Sequence, residues 1–351
     1  MSGTSLDGLD IAYASFDFSN NDDVQFELLK YKTFELPIAL VDALIEVQNL
    51  KPEQIFQLDQ EMARFFSQCV EKFIVEFQID KNDISAIASH GQTIFHRPQN
   101  GYTTQIGSGS TLNFLTKIPV IDQFRQLDIA AGGQGAPLVP LGDRVLFSKF
   151  GDGFLNLGGF ANISASLSAQ TIAFDIGPCN LPMNIWMRKI GKDYDQDGHL
   201  SRTGFVNKEV LGNVLSLPYF KKNNPKSLGT EWLHREYLPY FEKLSLPDRL
   251  RTHFEVLKTI CIEEFENMSL KNIFITGGGA HNKFFVQLLE KDFKGKLIRP
   301  DQEIIDFKEA LIFAFLGARF LRNETTTLKE VTGAKIDLRT GVLHDFMSSL
   351  Q

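Results

Sequence analysis

A chain of 351 residues is too long for one hydrophobic core, so its length predicts two lobes. With 43% hydrophobic and 23% charged residues, it has the composition of an ordinary soluble protein. The formal net charge of −7, with no basic block, argues against nucleic acid and against a membrane surface as partners. Cys69, Cys179 and Cys261 lie far apart and form no CxxC pair. That fits a reducing cytoplasm better than a disulfide framework or a zinc site. No basic segment with an apolar run opens the chain, so no signal peptide is expected. Residues 310–321 are strongly apolar, but Arg319 and the preceding Glu309 mark a buried helix rather than a membrane span.

The first ten residues, MSGTSLDGLD, set Thr4, Ser5, Leu6 and Asp7 between Gly3 and Gly8. Such a turn can offer backbone N–H groups and hydroxyls to a phosphate, and Asp7 can hold the water shell of Mg2+. An ordinary Gly/Asp/Ser turn is the commoner source of this composition, and the stretch alone favours it. Residues 10–18 and 25–36 read as strands, and Pro37 opens a helix. Residues 52–78 carry Leu58, Met62, Phe66, Cys69 and Phe73 at helical spacing, with Pro52 at the start. Residues 84–89 predict a short strand ending on His90, Gly91, Gln92 and Thr93. Polar groups at a strand end mark either a binding site or an exposed turn, and both readings stand. Residues 105–110 predict a strand, a turn and a helix N-cap. Residues 118–124 predict a strand running into Asp122, Arg125 and Asp128. The loop GGQGAP at 132–137 reads as a site loop or hinge.

The second half repeats the device. Residues 154–157, 161–164 and 171–174 read as strands, with Gly158 and Gly159 turning between the first two and Asn162 just beyond. The third strand ends on DIGPCN at 175–180, ahead of a helix through Leu181, Ile185 and Trp186. A polar loop covers 194–198, and 199–270 reads as helical with breaks near Pro218, Pro225 and Pro247. A buried strand at 272–276 stops at GGGAHN, 277–282. A helix over 283–293, a strand near 296–298 and a helix over 307–322 follow. Two similar lobes, 1–130 and 131–351, are expected around a cleft, the last helix packing back on the first lobe.

Asp175 stands at the end of an apolar strand, where partial desolvation suits a general base; an N-cap role is the competing reading. Glu309 reads as an acidic first turn that complements a helix dipole. No P-loop sequence, no G-x-G-x-x-G opening a helix, no H-E-x-x-H and no G-x-S-x-G occurs.

Nine segments in order carry a family pattern: MSGTSLDGLD, SHGQTIFHRP, QIGSGSTL, DQFRQLDIAAGGQGAPLVP, NLGGFANIS, FDIGPCN, DQDG, TGGGAHN and KEALIFAFLG. In these the chain resembles the anhydro-N-acetylmuramic acid kinases, a branch of the actin/hexokinase/Hsp70-like phosphotransferases. The resemblance implies an α/β fold of two actin/hexokinase-like lobes, each a mixed sheet flanked by helices, with an interlobe cleft. It implies ATP and Mg2+ as cofactors and 1,6-anhydro-N-acetylmuramic acid as substrate. Water would open the anhydro ring and O6 would take the γ-phosphoryl group, giving N-acetylmuramic acid 6-phosphate and ADP in cytoplasmic cell-wall recycling. Asp175 would deprotonate the water. Gly3, Thr4, Ser5, Leu6, Asp7 and Gly8 would hold the phosphates, with Asp7 on Mg2+ through water. Gly158, Gly159 and Asn162 would form the matching turn, and Gly277, Gly278, Gly279 and Asn282 would meet the nucleotide. His90, Gln92, Thr93, Asp122, Arg125, Asp128 and Glu309 would contact the sugar, Arg125 pairing with the lactyl carboxylate. A homodimer is left open. The alternatives are a kinase for another sugar and a non-catalytic sugar- or nucleotide-binding relative. Two departures carry expectations. Cys179 replaces an expected glycine, so a positive φ there would be strained. The phosphate turn begins the sequence, so the first strand of that lobe's sheet is expected to be absent.

Overall fold

The computed structural model describes residues 1–3, 6, 8–20, 24–167, 170–222, 224 and 226–345. It is a mixed α/β protein whose sheets are flanked by helices. The chain divides into two compact units, Met1–Leu146 with Phe307–Gln351, and Phe147–Asp306. Residues 131–146 thus group with the first unit, where the sequence reading placed a boundary after 130. Local bonds explain the grouping: Gln134 N–H donates to the Thr332 carbonyl, and buried Lys308 pairs with buried Asp143 at 3.1 Å.

In the first unit, β1 (Leu9–Asp17) and β2 (Gln25–Phe34) pair antiparallel with an irregularity at Tyr13/Ala14. The helix Pro52–Phe77 starts with proline in its first turn and with Gln54 Oε1 accepting from Lys51 N–H at 2.9 Å. Its buried stripe of Leu58, Met62, Phe66 and Cys69 packs with Leu9, Leu40, Leu112 and Val120 in one core. The strand expected over 84–89 shrinks to β3 (Ile87–Ala88), parallel to β6 (Val120–Asp122). β6 in turn pairs antiparallel with β12 (Val342–His344). Residues 90–97 are not a turn. β4 (Gln92–Arg97) and β5 (Tyr102–Ile106) form an antiparallel hairpin. The strand expected at 105–106 is the end of β5, whereas β4, in which Ile94 is the buried apolar residue, leaves little periodic signal in the sequence.

The second unit holds a five-stranded sheet of order β11-β10-β7-β8-β9. β7 (Gly153–Leu157), β8 (Phe160–Leu167) and β9 (Gln170–Pro178) run antiparallel in turn. β10 (Asn272–Thr276) lies parallel to both β7 and β11 (Lys296–Ile298). Leu155, Ile163, Phe174 and Ile275 from the sheet bury against Phe254, Leu257 and Phe265 of the helix Leu246–Asn267 and against Trp186. The expected helical stretch 199–270 resolves into Lys208–Leu215, Thr230–Trp232 and Leu246–Asn267 with turns between them. Pro225 lies outside the described residues. Among the described residues no helix is long and apolar enough to cross a membrane. All three cysteines are buried and free.

A fully buried histidine ties this helix to the end of β9. His253 Nε2–H donates to the Cys179 carbonyl at 2.8 Å, and its Nδ1 accepts from Tyr237 Oη at 2.7 Å. That pair of bonds specifies a neutral imidazole. Burial lowers its pKa from 6.5 to about 4. Between those values the unfolded chain holds the extra proton, so stability falls as pH drops from about 6.5 to about 4, by about 3 kcal/mol in all, and is complete above that window. Urea midpoints at pH 7.5 and 4.5 check this. His253→Gln, which keeps a donor and an acceptor, is expected to flatten the slope.

Candidate active site

One rung of the second unit's sheet gathers the polar residues. Thr276 pairs with Asn156, Asn156 with Asn162, and Asn162 with Asp175. Directly paired residues put their side chains on one face, so register alone aligns these four. An irregularity at Ala161/Asn162 sets that register on the β8–β9 side.

Gly158 and Gly159 turn the chain from β7 to β8 and bind the helix Asn180–Arg188. The Gly158 carbonyl accepts from Asn180 N–H, and the Gly159 carbonyl accepts from Cys179 and Leu181 N–H. Asn180 Nδ2 donates to the Leu157 carbonyl at 2.8 Å. The triple glycine packs against the same place. Gly277 has φ +81, and a Cβ there would lie 2.5 Å from Asn156 Oδ1 and 2.9 Å from the Leu157 backbone. A Cβ on Gly278 meets nothing closer than Asn180 Nδ2 at 3.8 Å, and one on Gly159 only Leu181 Cβ at 3.7 Å. Gly277 is therefore required by packing, whereas Gly159 and Gly278 border space that the protein leaves open. Gly277→Ala is expected to cost about 2–3 kcal/mol, from positive φ and a backbone clash. Gly278→Ala is expected to leave the melting temperature within about 1 °C and to raise the KM for ATP. Thermal melts and a KM series separate the two.

Asp175 lies inside β9, three residues before its end, and the N-cap of the following helix is Cys179. The N-cap reading of Asp175 is thereby corrected, because the strand runs on to Pro178. Asp175 is half-buried. Its Oδ2 accepts from Leu228 N–H at 2.9 Å, and its own N–H donates to the Lys226 carbonyl at 2.9 Å. Burial raises the Asp175 carboxyl, and the Leu228 hydrogen bond opposes that rise. Cys179 has φ −126, outside the left-handed region, so the expected strain does not arise. Asn282 caps the helix Lys283–Asp292, its Oδ1 accepting from Phe285 N–H at 3.0 Å while its Nδ2 faces the Asp195 carbonyl at 3.4 Å.

In the first unit, a cavity of about 150 Å³ is lined by Asp59, His90, Gln105, Asp122, His344 and the 107–110 loop, among others. His90 is held neutral: Nδ1–H donates to the Gly91 carbonyl at 2.8 Å, and Nε2 accepts from Arg125 Nε at 2.9 Å. Burial, with the Arg125 charge second, pushes the His90 pKa well down. Arg125 also donates from Nη1 to the Gly135 carbonyl at 2.7 Å. Burial lowers its guanidinium to about 10, against the charges of Glu309 and Asp128. Asp122 accepts from Gly109 N–H and from His344 Nε2, while Ser110 Oγ meets His344 Nδ1 at 2.9 Å. Burial raises the Asp122 carboxyl, with His344 opposing. Gln92 accepts from Ser2 Oγ at 2.6 Å, and Thr93 Oγ1 accepts from Gln105 Nε2 at 3.2 Å. Gln105 Oε1 is buried with no hydrogen-bond partner among the described residues.

Asp128 is fully buried and clamps a loop: Oδ2 accepts from Gly135 N–H and Oδ1 from Thr332 Oγ1, each at 2.7 Å. Glu309 is half-buried within the helix Gln302–Leu321, well past its first turn. The helix begins earlier than expected, so the dipole reading of Glu309 is corrected. Burial raises its carboxyl, with Lys308 and Arg125 opposing. Of the opening turn, Thr4, Ser5 and Asp7 lie outside the described residues. Leu6 N–H donates to the Gly3 carbonyl at 3.4 Å, and a Cβ on Gly8 would meet the Phe34 carbonyl at 2.8 Å. Among the described residues no three His, Cys, Asp or Glu side chains gather as a metal site.

Sequence reasoning missed Asn180, Leu228 and His344. Asn180 sits inside a quoted motif and was legible there. Leu228 acts through its backbone, and His344 reaches Asp122 across 222 residues; neither leaves a local signal.

Three curated kinases align along nearly the whole chain. That of Hahella chejuensis (strain KCTC 2396) is 34% identical over 98% of this chain and 97% of its own. Those of Sulfurimonas denitrificans and Vibrio vulnificus are each 32% identical over 98% of this chain, covering 98% and 96% of theirs. All three are called anhydro-N-acetylmuramic acid kinase. Among solved structures, an activator of 2-hydroxyisocaproyl-CoA dehydratase from Clostridium difficile with bound ADPNP aligns with TM-score 0.42 at 11% identity, over 89% of this chain and 97% of that one. The chain is a kinase, an ATP-using phosphotransferase. A family model described as anhydro-N-acetylmuramic acid kinase matches residues 1–345, and the chain belongs to that family.

Proposed function

We propose that this kinase hydrolytically opens the 1,6-anhydro ring of anhydro-N-acetylmuramic acid and phosphorylates O6 in the cytoplasm, with ATP and Mg2+. Asp175 takes a proton from water as the water oxygen bonds to the anomeric carbon. The bond from that carbon to O6 breaks, and O6 takes the γ-phosphoryl group as ADP leaves. The observation that carries this reading is the setting of Asp175. It is a half-buried carboxylate with raised pKa, on one sheet rung with Asn162 and Asn156, in the unit that holds the Gly158–Gly159 turn and the triple glycine. The open space beside Gly159 and Gly278 suits close approach of a nucleotide to backbone. Mg2+ bound with the nucleotide supplies charge neutralisation. Asp7 would hold it through water.

Arg125 holds the lactyl carboxylate in this reading, and His90, Gln92, Thr93, Asp122, Asp128 and Glu309 shape or bind the sugar side. A neutral His90 offers no competing charge beside that guanidinium. A coupled ADP-release assay tests the function. The anhydro sugar is expected to drive ADP formation together with a 6-phosphate product carrying a free anomeric hydroxyl. Turnover of intact-hydroxyl sugars with an inert anhydro sugar would overturn it.

A further inference from the structure

Asp175 is gripped by a segment that no sequence motif marks. Its N–H donates to the Lys226 carbonyl and its Oδ2 accepts from Leu228 N–H, so residues 226 and 228 bracket it. Its carbonyl accepts from Tyr219 Oη at 2.6 Å. One ammonium joins these holders. Lys226 Nζ pairs with Glu264 Oε1 at 2.9 Å, with side-chain exposures of only 5% and 12%. The same nitrogen stands 5.4 Å from the Tyr219 ring centre and 5.8 Å from that of Phe174, the residue before Asp175. Asn224 Nδ2 donates to the other Glu264 oxygen at 3.1 Å, closing the segment onto the helix Leu246–Asn267.

A buried ion pair is a weak source of net stability, because desolvation offsets most of the attraction. Its value lies in fixing geometry. Here it fixes the segment whose amide occupies one carboxylate oxygen. Among the described residues the other oxygen, Oδ1, takes no hydrogen bond. Among the described residues, the titratable and charged groups on the elements that hold Asp175 are Tyr219, Lys226 and Glu264, and its β8 pair is the uncharged Asn162.

We propose that Lys226 and Glu264 are positioning residues for the base: their buried pair seats the Leu228 amide on Oδ2 of Asp175 and so leaves Oδ1 to take the proton of the attacking water. This rests on Asp175 being the base. A hydrogen bond to the ionised form stabilises it, so losing the amide contact raises the pKa at which the base becomes active.

The test uses the full chain and the double variant Lys226→Met/Glu264→Leu, which removes both charges together and avoids stranding one. The Leu228 amide proton shift is followed against pH, alongside kcat/KM for the anhydro sugar. In the wild type that shift is expected to titrate with Asp175. In the double variant it is expected to lose most of its amplitude, while the acid limb of kcat/KM moves up by about one pH unit and kcat falls about tenfold with little change in KM. The single variant Lys226→Arg, which keeps the pair with Glu264, is expected to keep both near wild type. Tyr219→Phe, which keeps the ring, is expected to give a smaller shift of the same sign. A wild-type Leu228 shift that ignores pH, or a folded double variant with an unmoved amide titration, would overturn the proposal. The amide titration reads the clamp even where the anhydro sugar proves inert, so failure of the assigned reaction stays distinct from failure of the clamp.

Discussion

Asp175→Asn is expected to lower kcat by about 10²–10⁴-fold, the usual worth of a positioned general base. The fold should persist, because Asn offers an oxygen that accepts from Leu228 N–H as the carboxylate does. What is lost is the proton acceptor. Nucleotide affinity should change little, since the glycine turns that face the open space are untouched. The wild-type pH profile should show the same group. Burial raises the Asp175 pKa and only the ionised form accepts a proton, so activity should fall with acid, at a pH above that of an ordinary aspartate. That acid limb should vanish in the Asn variant. Steady-state ADP release across pH, with nucleotide binding measured directly, decides this. Turnover within tenfold of wild type would remove the base assignment.

Asp128→Ala is expected to destabilise the first unit by about 3–4 kcal/mol. The side chain is fully buried and satisfies two donors at 2.7 Å, Gly135 N–H and Thr332 Oγ1. Alanine leaves both donors without their acceptor and takes a counter-charge from half-buried Arg125. The loss should appear as a fall in melting temperature of about 6–15 °C, at roughly 2–4 °C per kcal/mol for a unit of this size. Asp128→Asn keeps one acceptor and should cost about half as much. Activity would fall too, because Gly135 also receives Arg125, whose other end holds His90. A melting temperature within 2 °C of wild type in the Ala variant would mean that the loop at 132–135 is held by something else.

The sequence reached most of the second unit's sheet because its strands are short apolar runs broken by glycine. β7, β10 and the long helices announce themselves by periodicity. Of the hairpin, the strand ending at Ile106 is legible and β4 is not, since Gln92–Arg97 buries only Ile94 among its apolar residues and too little apolar alternation is left to repeat. Glu309 was placed in a first turn because helix starts are the least legible boundaries when polar residues precede the apolar run. Among the site residues, the glycines looked alike in the sequence. Only packing separates Gly277, which backbone neighbours require, from Gly278, which borders open space.

By itself the sequence determined the family, the glycine turns and the aspartate on which the chemistry is argued to rest, since nine local segments in order need no coordinates to be read. What only the tertiary structure decided is how that aspartate is held. The opening turn was legible as a motif, yet the grip on Asp175 comes from a backbone amide 53 positions away and a buried ion pair 38 positions apart. Backbone donors carry no residue identity, and ion pairs across such distances obey no spacing rule. Which oxygen of a carboxylate is occupied and which is left to react is therefore a property of the fold.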